Sequence, residues 1–289
     1  MRERSLDQFE SIFERASIPV LDIRELELRR VAAVLRGGAL EASILRLGGY
    51  LHERFGAAVQ VQWDAALDDA EVAREVQALG LERASGPFGS TAELVGRIGI
   101  GRSQLVLLPD PEEAATAIEI DALVQGAAPP VLLVREPIEQ APAVFRRILH
   151  SLTGNFRQTQ NFAHSFALVE EGGSILLLHT IDRSQLQEVR DALRVSPEIA
   201  AEEGKELLQS LAHHGERYLK GVVAASAKCP YDVSYRLAVG EVKATVEREL
   251  EVGDYGLLVV GCHDEGYSQV DAQDYQLMHS VRHVPVLAL

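Results

Sequence analysis

Two short stretches of this chain gather the residue types that do chemistry. Thr153-Gly154-Asn155 sets a hydroxyl, a freely turning backbone and an amide side by side, and Gly261-Cys262-His263-Asp264-Glu265-Gly266 packs a thiol, an imidazole and two carboxylates between glycines. The first suits a phosphate or a ribose and is equally the chemistry of a helix cap. The second invites a metal or acid–base reading, but its spacing matches neither a zinc nor a calcium template. Cys262 and His263 are neighbours that point apart if the preceding strand continues, so a thiol–imidazole pair is not expected. His213 and His214 diverge in the same way on a helix. Taken by themselves, helix capping is the better reading of the first stretch and a solvated loop of the second.

Two further glycine-bearing segments bear on the site. Leu237-Ala238-Val239-Gly240 ends a strand just before a helix beginning near Glu241, which makes Gly240 either a ligand-facing turn or a tight turn that needs a small residue. Gly96-Arg97-Ile98-Gly99-Ile100-Gly101 is glycine-rich but precedes a strand, so it lacks the strand-to-helix geometry of a phosphate loop and reads as a helix exit.

The elements that must position these residues occur twice. Pro130-Val131-Leu132-Leu133-Val134 is echoed by Pro285-Val286-Leu287-Ala288-Leu289. A buried-strand run precedes each, Gln104 to Leu108 and Gly256 to Val260. Each half opens on another, at Arg30 to Leu35 and Arg147 to His150, followed by a glycine-containing turn and a helix. Leu40, Ile44, Leu47, Leu51 and Phe55 recur at helical spacing in the first, and Thr159, Phe162, Phe166 and Val169 in the second. Second strands follow at Ala58 to Trp63 and Ser174 to His179. Strand alternating with helix predicts a parallel sheet with right-handed crossovers in each half.

Helix starts are marked by Ser90-Thr91-Ala92-Glu93, a capping-box pattern, and by Ser196-Pro197. The second half carries an extra stretch, Arg183 to Lys228, with Leu207, Leu211, Tyr218 and Val222 on one helical face. Arg135 to Pro142 reads as the linker, its prolines ending the fifth strand and separating the units. The domain reading is an N-terminal arm over 1–29, a first unit over 30–136 and a second over 143–289.

Composition narrows the partners. The 289 residues carry 28 Lys+Arg against 43 Asp+Glu, a formal charge of −15, which repels nucleic-acid backbones and anionic lipid surfaces. No apolar run approaches the ~20 residues that span a bilayer. Two cysteines and a charged stretch from Met1 to Arg15 point to a reducing cytoplasm.

The repeated strand–helix order and the closing Pro-Val-Leu strands resemble the universal stress protein family over about residues 30–134 and 146–289. The resemblance implies an α/β fold of two tandem five-stranded parallel-sheet units, strand order 3-2-1-4-5, adenine-nucleotide alpha-hydrolase-like, joined as a pseudo-dimer. The family's nucleotide loop, Gly-x2-Gly-x9-Gly-Ser/Thr after the fourth strand, is matched here by Gly261 alone, with His263 beside it and Asp264 in place of the second glycine. In the first half Leu108-Pro109-Asp110-Pro111-Glu112-Glu113 replaces that loop, losing two backbone donors and adding three repelling carboxylates. The family's aspartate at the end of the first strand is absent from both halves, Arg36 standing in one and Ser151-Leu152-Thr153 in the other.

The resemblance therefore implies a regulatory or binding protein of the stress response and not an enzyme. An adenine nucleotide, AMP or ATP, is the implied ligand, held by Thr153, Gly154, Asn155, Gly240, Gly261 and His263 of the second unit, with no other cofactor. Two rivals stay open: a low-turnover ATP-binding hydrolase, and a purely structural module that docks an unidentified protein. A homo-oligomer also stays open.

Overall fold

The computed structural model describes residues 26–110, 120–126, 129–152, 162–182, 197–261 and 272–289. The N-terminal arm before residue 26 lies outside them. Within the described residues no helix is long and apolar enough to cross a membrane.

The first unit runs β1 (Arg30–Leu35), α1 (Glu41–Phe55), β2 (Ala58–Trp63), α2 (Asp69–Ala78), β3 (Glu82–Arg83), α3 (Thr91–Gly101), β4 (Leu105–Pro109), α4 (Ile120–Gly126) and β5 (Val131–Val134). A short helix, α5 (Ala141–Arg146), leads directly into β6 (Arg147–Leu152). Then come α6 (Phe162–Leu168), β7 (Ser174–Asp182), α7 (Pro197–Ala225), β8 (Asp232–Gly240), α8 (Val242–Val252), β9 (Leu257–Val260), α9 (Ala272–Ser280) and β10 (Val286–Ala288).

The strands form one ten-stranded sheet in the order β3-β2-β1-β4-β5-β10-β9-β6-β7-β8. Each half is parallel and carries the expected 3-2-1-4-5 order, and the halves join where β5 meets β10 antiparallel, Leu132 opposite Leu287. That junction is the pseudo-dimer. It also places the carboxyl ends of one unit's strands at the end of the sheet where the other unit's strands begin.

Alternation along each strand divides the core into two layers. Val31, Ala33 and Leu35 of β1 meet Ile44, Leu47 and Leu51 of α1 on one face, and Ile148 of β6 with Ile175 and Leu177 of β7 meets Phe162, Phe166, Tyr218, Leu219 and Val222 there. On the other face Ala32 and Val34, with Leu149, Leu178, Leu258 and Val260, meet Leu94 and Ile98 of α3, Val246 of α8 and Leu277 of α9. Full burial of one such Leu or Val contributes roughly 1.5–3 kcal/mol. Of the helical face expected in the second unit, Tyr218 and Val222 are buried, and the side chains of Leu207 and Leu211 lie outside the description.

The Ser90 cap forms as expected. Its Oγ accepts from Glu93 N–H at 3.2 Å, and Glu93 Oε2 accepts from Gly89 N–H at 2.9 Å, one residue before the usual reciprocal partner. The stretch Gly96 to Gly101 is the second half of α3, which exits through Arg102 at φ 51°.

β5 ends at Val134, and Arg135 to Pro142 follows it, packed on the first unit's first helix. The Ile138 N–H donates to Ser43 Oγ at 2.8 Å, and the Arg46 guanidinium donates to the Ile138 carbonyl. A Cβ at Gly256 would fall 2.3 Å from the Ala143 carbonyl, so only glycine admits so close an approach of α5 to β9. Sequence spacing saw two prolines, whereas packing decided what their neighbours touch.

Candidate functional site

In an open α/β sheet the ligand crevice lies outside the carboxyl ends of the strands, where strand order reverses, here between β1 and β4 and between β6 and β9. The pairing register makes the two crevices comparable position by position. Leu35 pairs with Trp63 as Leu152 pairs with His179. Ala33 pairs with Leu107 as His150 pairs with Val259. Ser151 thus occupies the place of Val34, Thr180 that of Asp64, and Gly261 that of Pro109.

In the second unit Gly261 follows β9 directly and is half-buried beside the end of β6. Gly240 ends β8, three strand positions away, about 14 Å at ordinary strand spacing. The structure therefore does not bring these two expected contacts together. Nor does the turn at Gly240 require glycine: its φ is not left-handed, and a Cβ would meet only Thr245 Oγ1, at 3.4 Å. Thr153, Gly154, Asn155 and His263 lie outside the described residues, as does Cys262.

What does converge at this end is a set of polar side chains on the α8–α9 face. Ser151, Thr180 and Asp182 alternate onto it from β6 and β7, and each is buried. Gln273 Nε2, from the first turn of α9, donates to Asp182 Oδ2, and buried Asp274 follows it. The hydroxyls of Ser151 and Thr180 have no hydrogen-bond partner among the described residues. A buried hydroxyl without a partner costs about 1–3 kcal/mol, so a ligand atom or an ordered water that bonded these two would relieve that cost. Of the five side chains the sequence pointed only to Asp274, as a carboxylate near a ligand's phosphates; for the strand residues the readable signal was the polar interruption of apolar strands in His-Ser-Leu and His-Thr-Ile-Asp.

The opposite face of the same strands carries histidines. His150 Nδ1 lies 2.8 Å from Ser165 Oγ, and His179 Nδ1–H donates to the Leu152 carbonyl at 3.1 Å. Burial pushes His150 down to about 3, and His164 and His179 to about 4, so all three are neutral near pH 7. They belong to the packed layer. Among the described residues no group of three His, Cys, Asp or Glu is placed to hold a metal ion.

The first unit carries charges of its own at the corresponding strand ends. Gly37 and Gly38 turn with φ 88° and 105°, and the Gly37 N–H donates to Glu41 Oε1 at 2.6 Å. Asp110 departs from its expected role as a repelling carboxylate. It is buried and accepts from Arg135 Nε at 2.7 Å and from Arg282 Nη1 at 3.2 Å. Arg135 also donates to the carbonyls of Met278 and Val281, at and just past the end of α9. The first unit thus carries, at the ends of β4 and β5, an ion pair whose arginine reaches into the second.

A separate cleft of about 540 Å³ lies between the units, lined by Tyr50 and Arg54 of α1 and by Phe166, Glu170 and Tyr231. Its polar groups satisfy one another, Arg54 donating to Glu170 at 2.6 Å and to the Leu168 carbonyl at 2.7 Å, and Tyr50 donating to Glu170.

No protein-family model matches the chain, and no curated protein does. Solved structures do. A universal stress protein from Archaeoglobus fulgidus is 12% identical with a TM-score of 0.61, the match covering 91% of this chain and 98% of that one. A functionally unknown protein from Pseudomonas aeruginosa is 13% identical with a TM-score of 0.58, over 91% and 92% of the two chains. At these identities the likeness is one of fold: each half of this chain has the 3-2-1-4-5 strand order, and the chain shares the fold of that universal stress protein over 91% of its length.

Proposed function

We propose that this is a universal stress protein-type binding and regulatory protein of the cytoplasm, without catalytic turnover. It takes an adenine nucleoside or nucleotide at the carboxyl ends of β6 and β9 in the second unit. One observation carries the reading: the second crevice presents buried hydroxyls at Ser151 and Thr180 that have no hydrogen-bond partner among the described residues, where the first unit carries the Asp110–Arg135 pair at the ends of β4 and β5. A ligand that bonds those hydroxyls relieves their burial cost. Buried Asp182 and Asp274 near the same opening favour a ligand with hydrogen-bond donors over one with several phosphate charges.

Calorimetry with adenosine, AMP and ATP tests it. The expected order is adenosine or AMP tightest and ATP weakest, with Thr180→Val weakening the best ligand about tenfold, the value of one hydrogen bond. Tightest binding by ATP without added metal, or a Thr180→Val variant that binds as the parent does, counts against the site. If none of the three binds, the docking-module reading takes its place.

A further inference from the structure

Nothing so far explains why an arginine should be buried at the end of β5. The side chain of Arg135 is 2% exposed, and it bonds groups of two different units: the Asp110 carboxylate in the first, and the Met278 and Val281 carbonyls in the second. Those carbonyls lie in the last turn of α9 and just past it, where a helix leaves carbonyls without internal partners, and a cation there is favoured by the helix dipole. Arg282, next in the chain after Val281, reaches back to the same carboxylate. Asp110 and Arg135 together grip one end of α9.

The other end of α9 is at the candidate site. Gln273 and Asp274 stand in its first turn, and Gln273 bonds Asp182 beside Thr180. The helix has nine residues, about 13 Å at 1.5 Å per residue. Because β5 and β10 pair antiparallel, α9 runs from the carboxyl end of the second unit's sheet to that of the first. The ends of β4 and β5 in the first unit thus hold the far end of the helix that walls the second.

We infer that Asp110 and Arg135 are positioning residues for the second unit's ligand site, and that the first unit sets through α9 the placement of Gln273 and Asp274. The inference rests on the ligand site proposed above for its functional consequence, and on the bonds of Arg135 alone for its structural one. A rigid helix with both ends held by side chains transmits a change at one end to the other only if the grip is specific, which makes the geometry testable.

The test uses the full-length chain with Arg135→Lys, which keeps the charge but loses the fork, and Asp110→Asn, which keeps the shape but loses the charge. Amide hydrogen exchange over residues 272–281 and calorimetric adenosine affinity are read together. Glu170→Gln, a comparable charge loss at the inter-unit cleft, is the control for general loosening. The expected result is at least tenfold faster exchange extending to residues 272–276 and about fivefold weaker adenosine binding in both variants. Exchange in β1 and β2 stays unchanged, and the control changes neither reading. Unchanged exchange at 272–276, or acceleration confined to 277–281, overturns the inference. So does parental affinity in both variants. If the parent chain binds none of adenosine, AMP and ATP the site proposal fails by itself, and the spread of exchange to 272–276 still decides this one. Should neither variant fold, Arg282→Gln, which removes one partly exposed contact to Asp110, is read by the same two criteria.

Discussion

Two halves of one chain build the same five-strand order and finish it differently. At matched positions β1 offers Val34 where β6 offers Ser151, and β4 ends on Pro109 where β9 is followed by Gly261. The first unit spends its carboxyl end on an ion pair that grips its neighbour; the second leaves hydroxyls and carboxylates there. The interiors of the strands vary little in kind, since both faces must be apolar wherever helices cover a parallel sheet. Strand ends carry no such constraint. A duplicated fold can therefore lose ligand chemistry in one copy and convert the same surface into a joint without disturbing the core.

The sharpest way to break that comparison is to remove the joint. Arg135→Met leaves Asp110 buried with only the more distant Arg282, and should lose about 3–5 kcal/mol of stability, read as a fall in the urea midpoint at constant slope. A loss below about 1 kcal/mol would show that the pair is no more than a surface contact.

Acid should act chiefly on the second unit. His150, His164 and His179 have pKa values depressed in the fold, so the unfolded chain takes up protons that the folded chain refuses. The stability they hold is intact above about pH 6.5 and is lost as pH falls toward about 4. Allowing for local relaxation, the loss by pH 4.5 is on the order of 3 kcal/mol for the three together. The chain's one tryptophan, Trp63, is buried in the first unit and reports on it by fluorescence. Circular dichroism should decline at higher pH than the Trp63 signal; the reverse order would place the acid-sensitive unit wrongly.

The smallest effect expected is at a helix start in the first unit. Ser90→Ala removes the bond to Glu93 N–H and should destabilise by about 1 kcal/mol with no change in ligand affinity, checked by denaturation and calorimetry on one preparation. A loss of affinity there would mean that the first unit contributes to binding through more than α9.

The strands, the helices and their repetition were readable because each is a local pattern. Ile44, Leu47 and Leu51 recur at helical spacing and lie on one buried face. Leu105 to Leu108 is apolar throughout and buried on both sides. The site was readable only in part. Gly261 followed from its position after a strand, but Gly240 was grouped with it by likeness of turn, although a third strand must lie at the sheet edge in this order. Ser151 and Thr180 went unremarked as ligand contacts, because a lone hydroxyl in a strand says nothing of which face it takes until neighbouring strands fix the register.

By itself, then, the sequence determined what depends on neighbours along the chain: the period of each element, the capping at Ser90, the acidic charge and the loss of the first unit's glycine loop. Tertiary structure alone decided what depends on partners far apart in number. Asp110 meets Arg135 across 25 residues, and Arg135 meets Met278 and Val281 across 143 and 146. A charged residue in a loop reads as solvated until something buries it. Here the antiparallel junction of β5 with β10 did so, laying the carboxyl end of one unit against the helix that walls the carboxyl end of the other.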